Sequence, residues 1–362
     1  MGLKAKYLRA LGAAHSLAVG WDAGRTHRDE YRHQFDSYTD GIAPPALLQD
    51  YTSIVERLAL FAQDEWEGSM GACRLPLACA GKRCARLPTA VRSNQSVISP
   101  VAHLLLKLAH KQQLRLALAC TYKAPLPRDL VPRRFTINND NSAINPDFEG
   151  NPTLRPELSW GLDGAYERSI GKDGTASFSG YLRRISNVTA QLLYRDGVSW
   201  VSRLVNDGVA RVAGIEADLK AQVAIGDVRL DLRMNVARNW SQVARVQGLD
   251  NHLADQVPLT ANLGVEHKSA TGWSAGANLI IQGGGASVSS SNVRQYRGTQ
   301  ALLDLNWSRN LGAAWLVRVS AVNALGRDRV SGTSYRAADG VQRRVGIDEG
   351  AATVRITLRR TF

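Results

Sequence analysis

The side chains with the widest chemical range in this 362-residue chain fall into four groups. His27, Asp29, Glu30 and His33 lie close together and carry nitrogen and oxygen donors of the kind that hold divalent cations. In an extended backbone Glu30 points away from the other three, so a solvated polar strand end is the competing reading. Cys73, Cys79 and Cys84 form a second group. Their spacing fits no zinc pattern and no His joins them, and a disulfide would leave one thiol over. Gly283-Gly284-Gly285 would cradle a phosphate only ahead of a helix, and no helical pattern follows, so it reads as a loop entrance. The last group is Arg128, Arg133, Arg134 and Arg294, the candidate ligand-binding residues. Guanidinium groups steer an anion by field and grip it through paired hydrogen bonds, although solubility or contact with anionic lipopolysaccharide explains the same residues.

None of the motifs that mark hydrolases, metalloproteases, nucleotide binding or dinucleotide binding is present. No catalytic, cofactor-binding or metal residue is therefore assigned, and neither an enzyme activity nor a cofactor is expected. The net charge is +13, but the basic residues are spread along the chain without a Lys/Arg block. No helix-turn-helix or zinc-finger spacing accompanies them, so no nucleic-acid partner is expected.

The elements that must position these groups are strands. Ala352, Val354, Ile356 and Leu358 alternate with Thr353, Arg355, Thr357 and Arg359, as a strand with one apolar and one polar side requires. The same split runs through 229–240 and 208–223. The pattern predicts strands near 14–31, 56–66, 97–108, 112–122, 156–169, 174–187, 208–223, 227–241, 258–268, 273–283, 299–309, 312–323 and 351–362. Such lengths exceed the usual 5–6 residues or so and suit a tilted strand that crosses a bilayer. Links at 109–111, 170–173, 224–226, 269–272 and 310–311 are short, whereas those at 32–55, 123–155, 188–207, 242–257, 284–298 and 324–350 are long. Short and long links alternate, as in bacterial outer-membrane barrels with short periplasmic turns and long external loops. Trp66, Trp273, Trp307 and Trp315 lie beside short turns, with Phe362 at the same level, where aromatic rings mark a membrane–water boundary. No run of about 18 apolar residues could form a transmembrane helix. Met1–Tyr7 has no apolar core behind it, so no export signal is recognised.

Four segments carry a family resemblance: Ala59-Leu60-Phe61-Ala62-Gln63-Asp64-Glu65-Trp66; Asn151-Pro152-Thr153-Leu154-Arg155-Pro156-Glu157 with Gly164, Tyr166 and Glu167; Asn206 with Gly208, Ala210, Gly214, Ile215 and Glu216; and the last strand, ending in Phe362. In this order and spacing they resemble TonB-dependent outer-membrane receptors of the siderophore type. The resemblance implies an all-β antiparallel transmembrane barrel, of which the chain would supply about 13–14 of the family's 22 strands, without the plug domain. It also implies uptake of a metal chelate such as a ferric siderophore. The implied partners are outer-membrane lipid and lipopolysaccharide, the chelate, the barrel-assembly machinery through the strand ending in Phe362, and TonB only in a full-length protein. The implied location is the bacterial outer membrane. A non-functional truncated remnant is the alternative, and an outer-membrane enzyme barrel a third. The stretch 67–92 is expected to be irregular, because it lacks alternation and Pro76 interrupts a ladder. A compensated frameshift over 70–92 would account for it.

Overall fold

A computed structural model describes the backbone of residues 1–362 except 13, 35–46, 69–70, 88–92, 137–139, 245–249, 255, 291, 313, 339 and 361–362; in the strands, the side chains of 30, 32–34, 47–51, 53, 71–87 and 93–94 also lie outside it. The chain is nearly all strand. In order these are β1 (Gly2–Ala10), β2 (His15–Gln34), β3 (Leu47–Gly68), β4 (Gly71–Leu87), β5 (Ser93–Ala109) and β6 (Gln112–Lys123), then one helical turn, α1 (Pro127–Leu130). Short β7 (Arg134–Phe135) and β8 (Asp147–Glu149) lead to β9 (Glu157–Ile170) and β10 (Gly174–Ser186). Next come β11 (Thr189–Asp196), β12 (Ser199–Asn206), β13 (Val209–Ile225), β14 (Val228–Val243), β15 (Leu259–Lys268) and β16 (Trp273–Gln282). The last are β17 (Gly285–Ser290), β18 (Val293–Arg297), β19 (Gln300–Leu311), β20 (Trp315–Val322), β21 (Arg329–Ala337), β22 (Gly340–Asp348) and β23 (Thr353–Arg360).

Fifteen of these form one antiparallel sheet in the order β1-β2-β3-β4-β5-β6-β9-β10-β13-β14-β15-β16-β19-β20-β23. All thirteen strands expected from alternation are in it, and the all-β antiparallel reading holds. Two strands were not expected. β1 occupies the segment weighed as an export signal and pairs with β2 from Gly2 to Ala10. β4 runs through the stretch expected to be irregular. Its ladder with β5 breaks between Arg74↔His103 and Leu77↔Pro100, which leaves Leu75 and Pro76 unpaired on that side. Proline has no N–H to give a ladder, so the break falls where sequence places it. A shifted reading frame is a property of the gene, independent of this backbone.

Short and long connections alternate along the sheet, the one departure being the five-residue link 88–92 between β4 and β5, where a long one would fall. The tight turns after β9 and β13 pass through Gly171 (φ 61) and Gly226 (φ 58), a left-handed conformation that L side chains resist. At the other end four of the long links fold, in pairs, into two small sheets, β11-β12-β8-β7 and β17-β18-β21-β22, where the sequence showed only loops.

The main sheet keeps its apolar side exposed. Leu162 is 50% accessible, Phe178 56%, Leu182 60% and Ile356 72%. A patch of this extent far exceeds what soluble monomers show. From Trp160 to Ile170 the rise of about 3.3 Å per residue, tilted by about 40°, gives a band about 25 Å tall, the height of a barrel's lipid-facing belt. Trp66, Trp307 and Trp315 are partly exposed at the short-turn end, as expected. The sequence reading missed the opposite belt, made of Tyr122, Trp160 and Trp240. Phe362 lies outside the described residues. Among the described residues no helix is long and apolar enough to cross a membrane.

The polar side is built differently. Large side chains lie flat across glycines on the next strand: Phe61 over Gly20, Tyr181 over Gly214, Arg183 over Gly161. A Cβ at Gly214 would run into the Tyr181 ring. Gly214→Val should therefore displace the ring and destabilise the protein by about 1–3 kcal/mol, the usual cost of overpacking. At Gly164 a Cβ meets only Leu116 Cδ2 at 3.5 Å, so Gly164→Ala should be near neutral. Urea midpoints from tryptophan fluorescence in detergent would check both.

Candidate functional site

The polar face of the central strands carries a connected set of ionic and hydrogen-bonding groups. Arg183 grips Asp163 with two hydrogen bonds, Nη2 to Oδ1 at 2.6 Å and Nη1 to Oδ2 at 3.1 Å. Tyr181 Oη donates to Asn239 Oδ1 at 2.8 Å, and Asn239 Nδ2 donates to the Val257 carbonyl at 3.0 Å. Thus the wall is tied to the loop that follows β14. Lower down, Asn235 Nδ2 donates to Glu216 and, at 2.6 Å, to Asp218 Oδ1, while Arg115 pairs with Glu167 at 3.2 Å. These groups sit opposite one another because antiparallel register puts Asp163 beside Tyr181 and Gly214 beside Asn239. A recess of about 530 Å³ opens here, with Glu65, His103, Asp163, Tyr181 and Glu216 in its wall. Its charged lining is mostly acidic, Glu65, Asp163 and Glu216 against Arg115, and suits a wet surface.

The second region lies at the long-loop end. A cavity of about 710 Å³ is enclosed by the top of β14 (Arg238, Asn239, Trp240), residues 250–258, Gly283–Ser287, and the strands of the β17-β18-β21-β22 sheet. That volume falls within the range of small-molecule sites. Its charged lining is mostly basic: Arg238, Arg297 and Arg344, all exposed, against Asp250, with His252 and Tyr296 adding hydrogen-bonding groups. Arg238 also stacks over Trp240 at 5.8 Å. The glycine triplet forms part of the wall. Gly283 N donates to the Leu259 carbonyl at 2.7 Å, Gly284 N to Thr299 Oγ1 at 3.1 Å, and a Cβ at Gly284 would collide with the Arg297 carbonyl. The triplet lets two chain segments approach closely where a loop mouth was expected.

The four arginines singled out by sequence are not gathered at one site. Arg128 lies 3.5 Å from Asp129 with its side chain mostly in solvent. Arg133 is buried with its guanidinium 4.1 Å from the centre of the Phe135 ring. Arg134 is paired with Asp196, which joins β7 to β11. Arg294 reaches Asp250 at 3.1 Å and so borders the cavity. The cavity's own arginines, 238, 297 and 344, were missed. They lie on three strands far apart in sequence, and only loop folding brings them together.

The other sequence candidates stay dispersed. His27 Nε2 lies 3.2 Å from Asp29 Oδ1, and Thr52 Oγ1 donates to Asp29 at 2.6 Å; the Glu30 and His33 side chains lie outside the described residues. So do those of Cys73, Cys79 and Cys84, and Cys120 is a buried free thiol. Among the described residues no group of three His, Cys, Asp or Glu is placed to hold a metal.

Asparagines hold the loops in place. Asn151 Nδ2 donates to the Leu204 carbonyl at 2.9 Å. Asn206 accepts from Arg155 N at 2.8 Å and donates to the carbonyls of Arg155 (3.0 Å) and Asn187 (2.8 Å). Beside them, Tyr194 on β11 donates to Glu149 on β8, with the Arg203 guanidinium 5.5 Å from its ring. Burial raises the Tyr194 pKa above the usual tyrosine range, and the hydrogen bond and charge of Glu149 add to it, against Arg203 and Arg134. The raised value in the folded state means that this contribution to stability is present below the normal tyrosine range and is lost as pH rises through the raised value. Spectrophotometric titration should show one fewer late-titrating phenol in Tyr194→Phe than in the parent.

Residues 4–324 match the family model described as TonB dependent receptor-like, beta-barrel. A search of curated protein sequences returns no significant match. Among solved structures, the copper transporter OprC superposes with a TM-score of 0.70 at 14% identity, covering 99% of this chain and 57% of that one. The siderophore receptor PiuA from Acinetobacter baumannii gives 0.70 at 12% identity, over 99% of this chain and 56% of its own. The ferric yersiniabactin uptake receptor FyuA from Yersinia pestis gives 0.65 at 14% identity, over 100% and 54%. At such identities the likeness shows the fold. The chain spans just over half the length of each of these structures. They are receptors and transporters rather than enzymes.

Proposed function

The chain belongs to the TonB-dependent receptor β-barrel family, and on that premise we propose that it forms the wall and outer mouth of an outer-membrane uptake receptor for an anionic metal chelate such as a ferric siderophore. The observation that carries the reading is the cavity of about 710 Å³ at the long-loop end, lined by Arg238, Arg297 and Arg344. Ferric complexes of catecholate or carboxylate ligands carry net negative charge, and guanidinium groups bind such oxygens with charge-assisted hydrogen bonds. The net charge of +13 adds long-range attraction for an anion.

The remaining parts fit that role. The apolar face meets lipid and the polar face lines the passage. The long loops face outward and the short turns face the periplasm. The recess around Asp163, Tyr181 and Glu216 lies below the cavity, on the solute's path inward. Energy coupling through TonB, and assembly through the last strand, belong to the whole receptor. Copper complexes are the second ligand class, since OprC is a copper transporter.

Isothermal titration calorimetry on the detergent-solubilised chain tests the reading. A ferric catecholate, a ferric hydroxamate and ferric citrate would be titrated separately. Anionic complexes should bind, more weakly as salt rises. Replacing Arg238, Arg297 and Arg344 together by Gln should weaken binding at least about tenfold, given about 1.5–3 kcal/mol for a hydrogen bond to a charged group. Binding that ignores all three arginines would overturn the proposal.

A further inference from the structure

Antiparallel register places Arg184 of β10 directly opposite Arg211 of β13 on the apolar face of the sheet. Like charges in cross-strand positions repel and are ordinarily avoided. Both guanidinium groups are exposed, and among the described residues neither forms an ion pair or hydrogen bond. The pair lies near the long-loop ends of both strands, level with Trp160, which is the cross-strand partner of Arg184. Below it an open groove of about 520 Å³ runs down the face between Trp160, Leu162, Leu182 and Trp240. A second depression, of about 370 Å³, rises above the pair toward the loops.

We propose that this place binds a lipid with a phosphate headgroup, its phosphate held between Arg184 and Arg211 and one acyl chain lying in the groove. The charge and the shape ask for the same molecule. Two unpaired guanidinium groups side by side require an anion with several acceptor oxygens, and a phosphate offers a fork to each. The groove beneath is apolar, with tryptophans on its two sides at the height where indoles mark a membrane boundary. A soluble anion would satisfy the arginines and leave the groove empty. An uncharged lipid would fill the groove and leave the repulsion. The site lies on the opposite face of the sheet from the ionic polar wall. The inference rests on the reading that this face meets lipid.

The test uses the full chain in detergent micelles, with phosphatidic acid and phosphatidylcholine brominated on the same acyl position as probes. Bromine quenches indoles it touches, and Trp160→Phe with Trp240→Phe isolates their share. Quenching by phosphatidylcholine reports only that the face meets acyl chains; its absence would sink the lipid-facing reading itself. Phosphatidic acid should quench at a mole fraction about tenfold lower, a preference that Arg184→Gln with Arg211→Gln removes while folded gel mobility stays unchanged. Millimolar inorganic phosphate should not displace it. Equal quenching by the two lipids, or displacement by phosphate alone, would each overturn the site.

Discussion

The structure depends on one constraint: the main sheet is a single layer, so its strands are held to one another almost entirely by the backbone ladder. Among the described residues no second sheet covers it, and a small cluster of buried apolar residues, Val188, Ala210 and Val243, sits where the loops join the wall. A soluble β protein can share the load with a packed core. Here every N–H and C=O must find its partner in the neighbouring strand, as it must for any strand that crosses lipid. Where a residue withholds its donor the ladder opens, as at Pro76. Strand length follows from the same demand, since each strand must keep its pairing over the whole height of the apolar band.

With the ladder fixed, the two faces become independent surfaces. One exposes Leu, Phe, Ile and Trp, which only a lipid environment makes favourable. The other carries Arg183–Asp163, Tyr181–Asn239 and the Asn235–Glu216–Asp218 set. These pairs are roughly a third exposed, so each is worth little as a stabiliser. Their effect is to fix side-chain positions along a hydrated wall. Glycines across from large residues serve the same end, because they let a ring or guanidinium lie flat against the wall.

The loops obey a different logic. Asn151, Asn187 and Asn206 replace ladder bonds with side-chain bonds to backbone carbonyls. Those bonds bring segments 19 to 53 residues apart in sequence to one end of the wall. The family-like motifs around Asn151 and Asn206 therefore mark anchoring points, and the arginine-lined cavity forms from what they anchor.

The sequence by itself determined the strands, their faces, the order of short and long connections and the aromatic belt at the short-turn end. All of these are set within ten or fifteen residues, by an alternation of period two. It did not reveal β1 or β4: the first shows no long alternating run, and the second contains Pro76. It also singled out Arg128, Arg133, Arg134 and Arg294 because they lie on predicted outer loops. The tertiary structure used Arg128 and Arg133 in contacts within their own loop, tied Arg134 to Asp196 of the next long loop and set Arg294 against Asp250. Which guanidinium groups share a cavity, which two face each other across β10 and β13, and which glycine lies under Tyr181 were decided by register and loop folding. Those pairings join residues tens of positions apart, and nothing local in the chain specifies them.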